Sequence, residues 1–164
     1  MADIEKINPT EIVSAELLGD LRKIIDTARS HVAATANYEL TAMYWHIGDR
    51  INRDVLNNER AEYGQQIVSH VATQLQQEYG TKGFDEKSIR RMMQFAQIFP
   101  DFQIVAPLAR KLSWSHFQIV MPFKDALQRE VYLTMAAAER WSRRTLQAKI
   151  DGMLYERTAI ATKT

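Results

Sequence analysis

Three observations predict an all-α fold. Apolar residues recur at steps of three and four along most of the chain, no segment keeps a convincing strand alternation, and three helix starts share one capping pattern. The expected architecture is a long N-terminal helix followed by a helical bundle with a helix-turn-helix-like unit. With 164 residues, 46% apolar and 25% charged, the chain is long enough to bury a core as one domain or two very small ones. The core domain is expected over residues 15–157, between tails at 1–14 and 158–164.

The long helix is predicted from about Leu17 to Leu56, where Leu18, Leu21, Ile25, Ala28, Val32, Ala36, Leu40, Met43, Ile47 and Ile51 form one stripe without a proline. Forty residues would extend roughly 60 Å at 1.5 Å per residue, beyond the diameter of a domain this size. Part of the stripe then needs a partner outside the local fold, and a second protomer joined as a homodimer through this helix is the simplest. A break near Ala33 to Asn37 would instead give a hairpin of two ordinary helices. A polar link over 57–64 leads to a second helix ending at Tyr79, with Ile67, Val68, Val71 and Leu75 inward and Gly80 as its stop. A third helix spans about 86–98 and ends before Pro100. A loop follows to Pro107, with a short extended possibility at Phe102 to Val105. Further helices are expected over 114–121, 125–139 and 143–156.

The shared pattern is an apolar residue, a capping oxygen and a second apolar residue four positions after the cap. Phe84, Asp85 and Ile89 make one; Leu112, Ser113 and Phe117 another; Trp141, Ser142 and Leu146 the third. These are hydrophobic staples around N-caps, and they fix where first turns lie. In those turns Lys87, Arg143 and Arg144 oppose the helix macrodipole, at about 0.3–1 kcal/mol each. A bound anion would explain them, and so would a neighbouring carboxylate such as Glu139 or Glu86.

Charge is divided unevenly. Residues 1–84 carry eight basic against twelve acidic side chains, and residues 85–164 carry thirteen against eight. An anionic partner for the second half follows, nucleic acid before others. The helix over 86–98 turns Ile89, Met92, Met93 and Ala96 inward and presents Lys87, Arg90 or Arg91, Gln94 and Gln97 on another face. Arg bonds guanine, Gln bonds adenine and Lys pairs with phosphate, which is the chemistry of a major-groove helix, although a solvated helical face has the same look. Trp45 and Trp141 are expected in the core. Trp114, shortly after Arg110 and Lys111, suits either a base or the core.

Enzyme signatures are missing from the sequence. The four histidines have no partner at the spacing of a helical zinc site, and there is no cysteine, phosphate loop or nucleophile elbow. No catalytic residue, metal or cofactor is expected. Nor does any apolar run reach membrane-spanning length, and the start lacks a secretory signal, so a cytoplasmic setting is the default.

Five ordered motifs carry a resemblance: Tyr44-Trp45-His46-Ile47-Gly48-Asp49-Arg50-Ile51, Arg60-Ala61-Glu62-Tyr63-Gly64, Arg90-Arg91-Met92-Met93-Gln94-Phe95 with Phe99-Pro100, Leu112-Ser113-Trp114-Ser115-His116, and Trp141-Ser142-Arg143-Arg144-Thr145-Leu146. Over about residues 15–155 the chain resembles the N-terminal domain of the YhcG-like family. The resemblance implies a bacterial DNA-binding helical domain that precedes a nuclease domain of the PD-(D/E)XK type, whereas this chain stops at Thr164. The expectation is a non-catalytic DNA-targeting and dimerisation module with the nuclease domain as a partner. Its DNA contacts are expected at Lys87, Arg90, Arg91, Gln94, Arg110, Lys111, Trp114, Arg143 and Arg144. The rival is a protein-interaction or regulatory module that does not touch DNA. A self-contained nuclease or toxin lacks a visible carboxylate set.

Overall fold

A computed structural model describes residues 15–57 and 61–162. The expected tail at 1–14 lies outside them. The described residues form helices without strands: α1 (Ala15–Asn57), α2 (Ala61–Tyr79), α3 (Glu86–Ile98), α4 (Phe102–Ala109), α5 (Trp114–Val120), α6 (Ala126–Ala138), α7 (Arg143–Asp151) and α8 (Leu154–Thr162). None is long and apolar enough to cross a membrane.

α1 is unbroken through Ala33 to Asn37, so the hairpin alternative is excluded. The described residues that pack on α1 cover its C-terminal part. Thr41, Ala42, Trp45, Gly48 and Ile51 are buried there, whereas every residue from Arg22 to Ala33 is exposed.

The core has two centres along the covered part of α1. Under the crossing of α1, α2 and α3 lie Ile51, Val68, Ala72, Ile89 and Met92. The larger centre gathers Trp45, Phe95, Leu112, Phe117, Tyr132, Leu133 and Leu146 from α1, α3, α5, α6, α7 and the turn before α5. Burying each large apolar side chain contributes about 1.5–3 kcal/mol, and this is what holds the short helices in place. Phe95 is central to the larger centre, with its ring centroid 4.8 Å from Trp114, 5.2 Å from Phe117 and 5.6 Å from Phe99. Trp45 is in the core as expected, and its Nε1–H donates to the Phe99 carbonyl at 2.7 Å.

α3 packs mainly on α1, and the closest approach is at Gly48. A Cβ there would lie 1.9 Å from the Met92 carbonyl oxygen. Asn52, one turn on, donates through Nδ2 to the Met93 carbonyl (2.9 Å), and the Gln97 amide reaches Asn52 Oδ1 (3.4 Å). α2 ends at Gly80, whose φ of +95° and N–H bond to the Gln76 carbonyl (2.9 Å) close the helix. Gly83 also has positive φ (+91°), and Gln76 Nε2 holds the Phe84 carbonyl at 3.2 Å. Six residues, Gly80 to Asp85, join α2 to α3. That is more than the three or four of a tight helix-turn-helix.

Several boundaries differ from expectation. Residues 61–64, assigned to the link, are already helical. The segment 102–109 is helix α4, not a loop or strand: Asp101 accepts from the Gln103 N–H (2.9 Å), and burial of Val105 and Ala109, four apart, outweighs the breaker at Pro107. The single helix expected over 143–156 is two, because Gly152 caps α7 and Met153 takes φ +55°. Residues 158–162 continue α8 rather than fray. α8 is tied to α6 by the Tyr155 N–H on Tyr132 Oη (3.1 Å) and by Gln128 Nε2 on Glu156 (2.9 Å).

Gly48→Ala is expected to lower unfolding free energy by more than about 2 kcal/mol, since a backbone carbonyl cannot yield as a side chain can. Urea denaturation of the two proteins checks this, and a Gly48→Ala protein as stable as the parent would refute the close approach.

Candidate nucleic-acid interface

α3 is a two-faced helix. Ile89, Met92, Phe95 and Ala96 are buried, whereas Lys87, Arg90, Arg91 and Gln94 are exposed. Its start is fixed by the extended backbone of Asp85, although that side chain caps no backbone N–H. Asp85 instead accepts from the Ser88 hydroxyl at 2.5 Å. This bond, against an opposing effect of desolvation, holds the exposed Asp85 carboxyl below its ordinary range, with lesser help from the backbone N–H groups of Asp85 and Ser88 and least from Arg91. Any contribution of this charge to folding is thus complete above the unfolded carboxyl pKa and is lost as pH falls through the depressed folded value.

α7 begins at Ser142, which accepts from the Thr145 N–H (3.1 Å). Leu146, fully buried, anchors the helix and leaves Arg143 and Arg144 exposed in its first turn. The turn before α7 is set by Arg140 in the left-handed region (φ +55°) and by the Trp141 N–H on the Ala136 carbonyl (2.9 Å), a Schellman-type closure. Trp141 is half-buried against the core, with Lys149 Nζ 5.5 Å from its ring centroid.

His116 locks α5 to this turn. Its Nδ1 accepts from the Ser113 N–H (3.1 Å) and lies 2.8 Å from Ser113 Oγ, and its Nε2 lies 2.8 Å from the Trp141 carbonyl. An amide can only donate and a carbonyl only accept, so the ring hydrogen is on Nε2. The expected Ser113 cap is therefore a capping box whose second member is a histidine.

The arrangement brings Arg91 and Gln94 of α3 and Arg143 of α7 into one cleft of about 320 Å³, completed by Ser115 and Gln118 of α5. Arg143 and Arg144 also line an adjoining groove of about 620 Å³ with Gln147. Among the described residues the ion pairs within 4 Å join Arg50 to Asp54 and Arg53 to Asp49, both within α1. Arg143 and Arg144 have no such pair with Glu139 or Glu86, and Asp151, which lines the same groove, does not approach them within 4 Å.

The remaining expected contacts lie elsewhere. Arg110 turns to α1, its guanidinium 4.8 Å above the Tyr38 ring, in a cleft shared with His31 and Glu39. Lys111 is exposed in the turn after α4. Trp114 is half-buried and packs between Tyr44 (5.1 Å) and Phe95 (4.8 Å), so its ring is engaged in the fold. Ser115, Gln118 and Gln147 were not anticipated. Gln118 follows Ser115 by three, and Gln147 follows Arg144 by three and Arg143 by four; this spacing was the available signal. Among the described residues no three His, Asp or Glu side chains cluster as a metal site requires.

The profile of the DUF1016 N-terminal domain matches residues 20–157. The chain belongs to the DUF1016 family. The match takes in all nine expected contact residues and the whole of the cleft, and it agrees with the YhcG-like resemblance of the motifs. No curated protein and no solved structure matches the chain.

His116→Ala in this DUF1016 domain leaves the Ser113 N–H and the Trp141 carbonyl without their partner, at about 1–3 kcal/mol for each buried group left unpaired. A loss of at least about 2 kcal/mol in urea unfolding is expected, and an unchanged midpoint would contradict the capping role.

Proposed function

We propose that this DUF1016 domain is a cytoplasmic DNA-binding and targeting module, non-catalytic by itself, that serves the nuclease domain implied by the family resemblance. The observation that carries the proposal is the set of exposed cations, Lys87, Arg90, Arg91, Arg143 and Arg144, displayed by α3 and the first turn of α7 without an ion pair among the described residues. Cations in a helix first turn cost free energy, and a phosphate offsets that cost by meeting both the side chains and the dipole. Gln94 adds an amide able to bond base edges or phosphate oxygens, whereas Gln147 Nε2 donates to Asp151 Oδ1 (2.9 Å). Fluorescence anisotropy on labelled duplex across a salt series tests the proposal. Replacing Lys87 and Arg90 together by Gln should weaken binding and lower the slope of log affinity against log salt by about 0.9 for each phosphate no longer neutralised. Unaltered affinity and slope would exclude this surface.

We also propose that the domain dimerises through α1. Ile24 is 66% and Val32 70% exposed, with Ile25 between them exposed as well. An apolar stripe of this length on a solvent-facing helix is the mark of an interaction surface, and a second copy presents the same stripe. Ile24→Glu with Val32→Glu should halve the mass measured by light scattering, and an unchanged mass would refute the dimer. The same stripe favours the second reading, a protein-interaction module, if the wild-type chain binds no DNA at low salt.

A further inference from the structure

The exposed α3 face suits contacts with a duplex surface, but the cleft beside it has different chemistry. Arg91, Gln94, Ser115, Gln118 and Arg143 converge on it from three helices, over apolar ground that includes Ile119. Its volume of about 320 Å³ is at the small end of ligand pockets, which run from about 300 to 1,000 Å³. No carboxylate and no aromatic ring is among the described residues that line it. The first absence leaves the two guanidinium groups without a carboxylate inside the cleft. The second removes the stacking platform that an unpaired base uses.

We propose that this cleft is a phosphate subsite, in which Arg91 and Arg143 grip one phosphate group and Gln94, Ser115 and Gln118 bond its remaining oxygens. Each guanidinium offers a planar fork of N–H donors matched to two phosphate oxygens, and lysine does not reproduce that geometry. The phosphate can be a terminal phosphomonoester or a backbone phosphodiester. The proposal rests on the DNA-binding reading only for the identity of the larger ligand, since the cleft itself recognises phosphate.

Two measurements on the same chain test it. In thermal unfolding at constant ionic strength, inorganic phosphate should raise the Tm of the wild type saturably relative to chloride, and Arg91→Gln with Arg143→Gln should abolish the rise. The corresponding double Lys variant keeps the charges and should show a weaker rise, which also serves if the Gln protein fails to fold. No rise in the wild type, or an equal rise in the Gln or Lys variant, would overturn the subsite. In anisotropy, the Gln variant should bind DNA at least tenfold more weakly. A blunt duplex with 5′-phosphates preferred over one with 5′-hydroxyls assigns a terminal phosphate. Equal binding of both and of a closed dumbbell assigns a backbone phosphate. Phosphate binding without DNA binding sinks the DNA reading and leaves the cleft standing. DNA binding indifferent to Arg91 and Arg143 but abolished with Lys87 and Arg90 sinks the cleft and leaves the interface.

Discussion

The close crossing of α1 and α3 at Gly48 is the constraint on which the rest of the arrangement depends. With the Met92 carbonyl where a side chain would begin, the two backbones are nearer than any residue but glycine allows. Asn52 then engages the Met93 carbonyl and Gln97 engages Asn52, so the register of α3 along α1 is set by hydrogen bonds as well as by shape. A helix seated this way has one rotational setting. Ile89, Met92, Phe95 and Ala96 enter the core, Lys87 and Arg90 face solvent, and Arg91 and Gln94, also exposed, line the cleft toward α5 and α7. The basic face of α3 is a consequence of how its opposite face is docked.

From this crossing the setting passes to the second basic element through a short series of contacts. Phe95 packs against Trp114 and Phe117, which fixes α5. His116 on α5 spans from the Ser113 amide to the Trp141 carbonyl, which fixes the turn before α7. Ser142 and Leu146 then hold the first turn of α7, where Arg143 stands. Each link is a buried ring or a hydrogen bond of 2.8–3.1 Å, and closely packed interiors transmit such settings with little play. Arg91 and Arg143, 52 positions apart by their numbers in the sequence, are thereby brought to one cleft, Arg91 by a helix seated directly on α1 and Arg143 by a helix that reaches it through α5.

How much of this was legible in the sequence follows from how local each determinant is. The limits of α3 were readable because Phe84, Asp85, Ile89 and Pro100 act within a turn of the helix ends. The unbroken α1 was readable as a stripe, but no local signal at Ala33 to Asn37 separated it from a hairpin. α4 was missed because Pro107 and the β-branched pair Ile104 and Val105 oppose helix locally, and only burial of Val105 and Ala109 against other helices reverses that preference. The break at Gly152 and Met153 was hidden because α8 gains its place through Tyr132, Gln128 and Glu156, contacts more than twenty residues apart in sequence. For the candidate site, exposed cations at capped helix starts were visible, and Arg91 and Arg143 were named. That they meet, that Arg110 turns to Tyr38, and that Ser115 and Gln118 complete the cleft were not visible, because each depends on the placement of separate helices.

The first turn of α7 shows why stability alone is a poor account of this surface. Ser142 and Leu146 give the helix a good start, yet the next two positions after the cap are arginines, which work against the dipole that the cap supports. A fold selected only for stability would favour Asp or Glu there, and the nearby acids Glu139 and Glu86 are not used as partners. The same opposition recurs at Lys87 in the first turn of α3. Two helix starts with well-placed apolar anchors and ill-placed charges, on the two helices that supply Arg91 and Arg143 to one cleft, divide the residues by role: the buried ones specify position, and the exposed ones suit an anion.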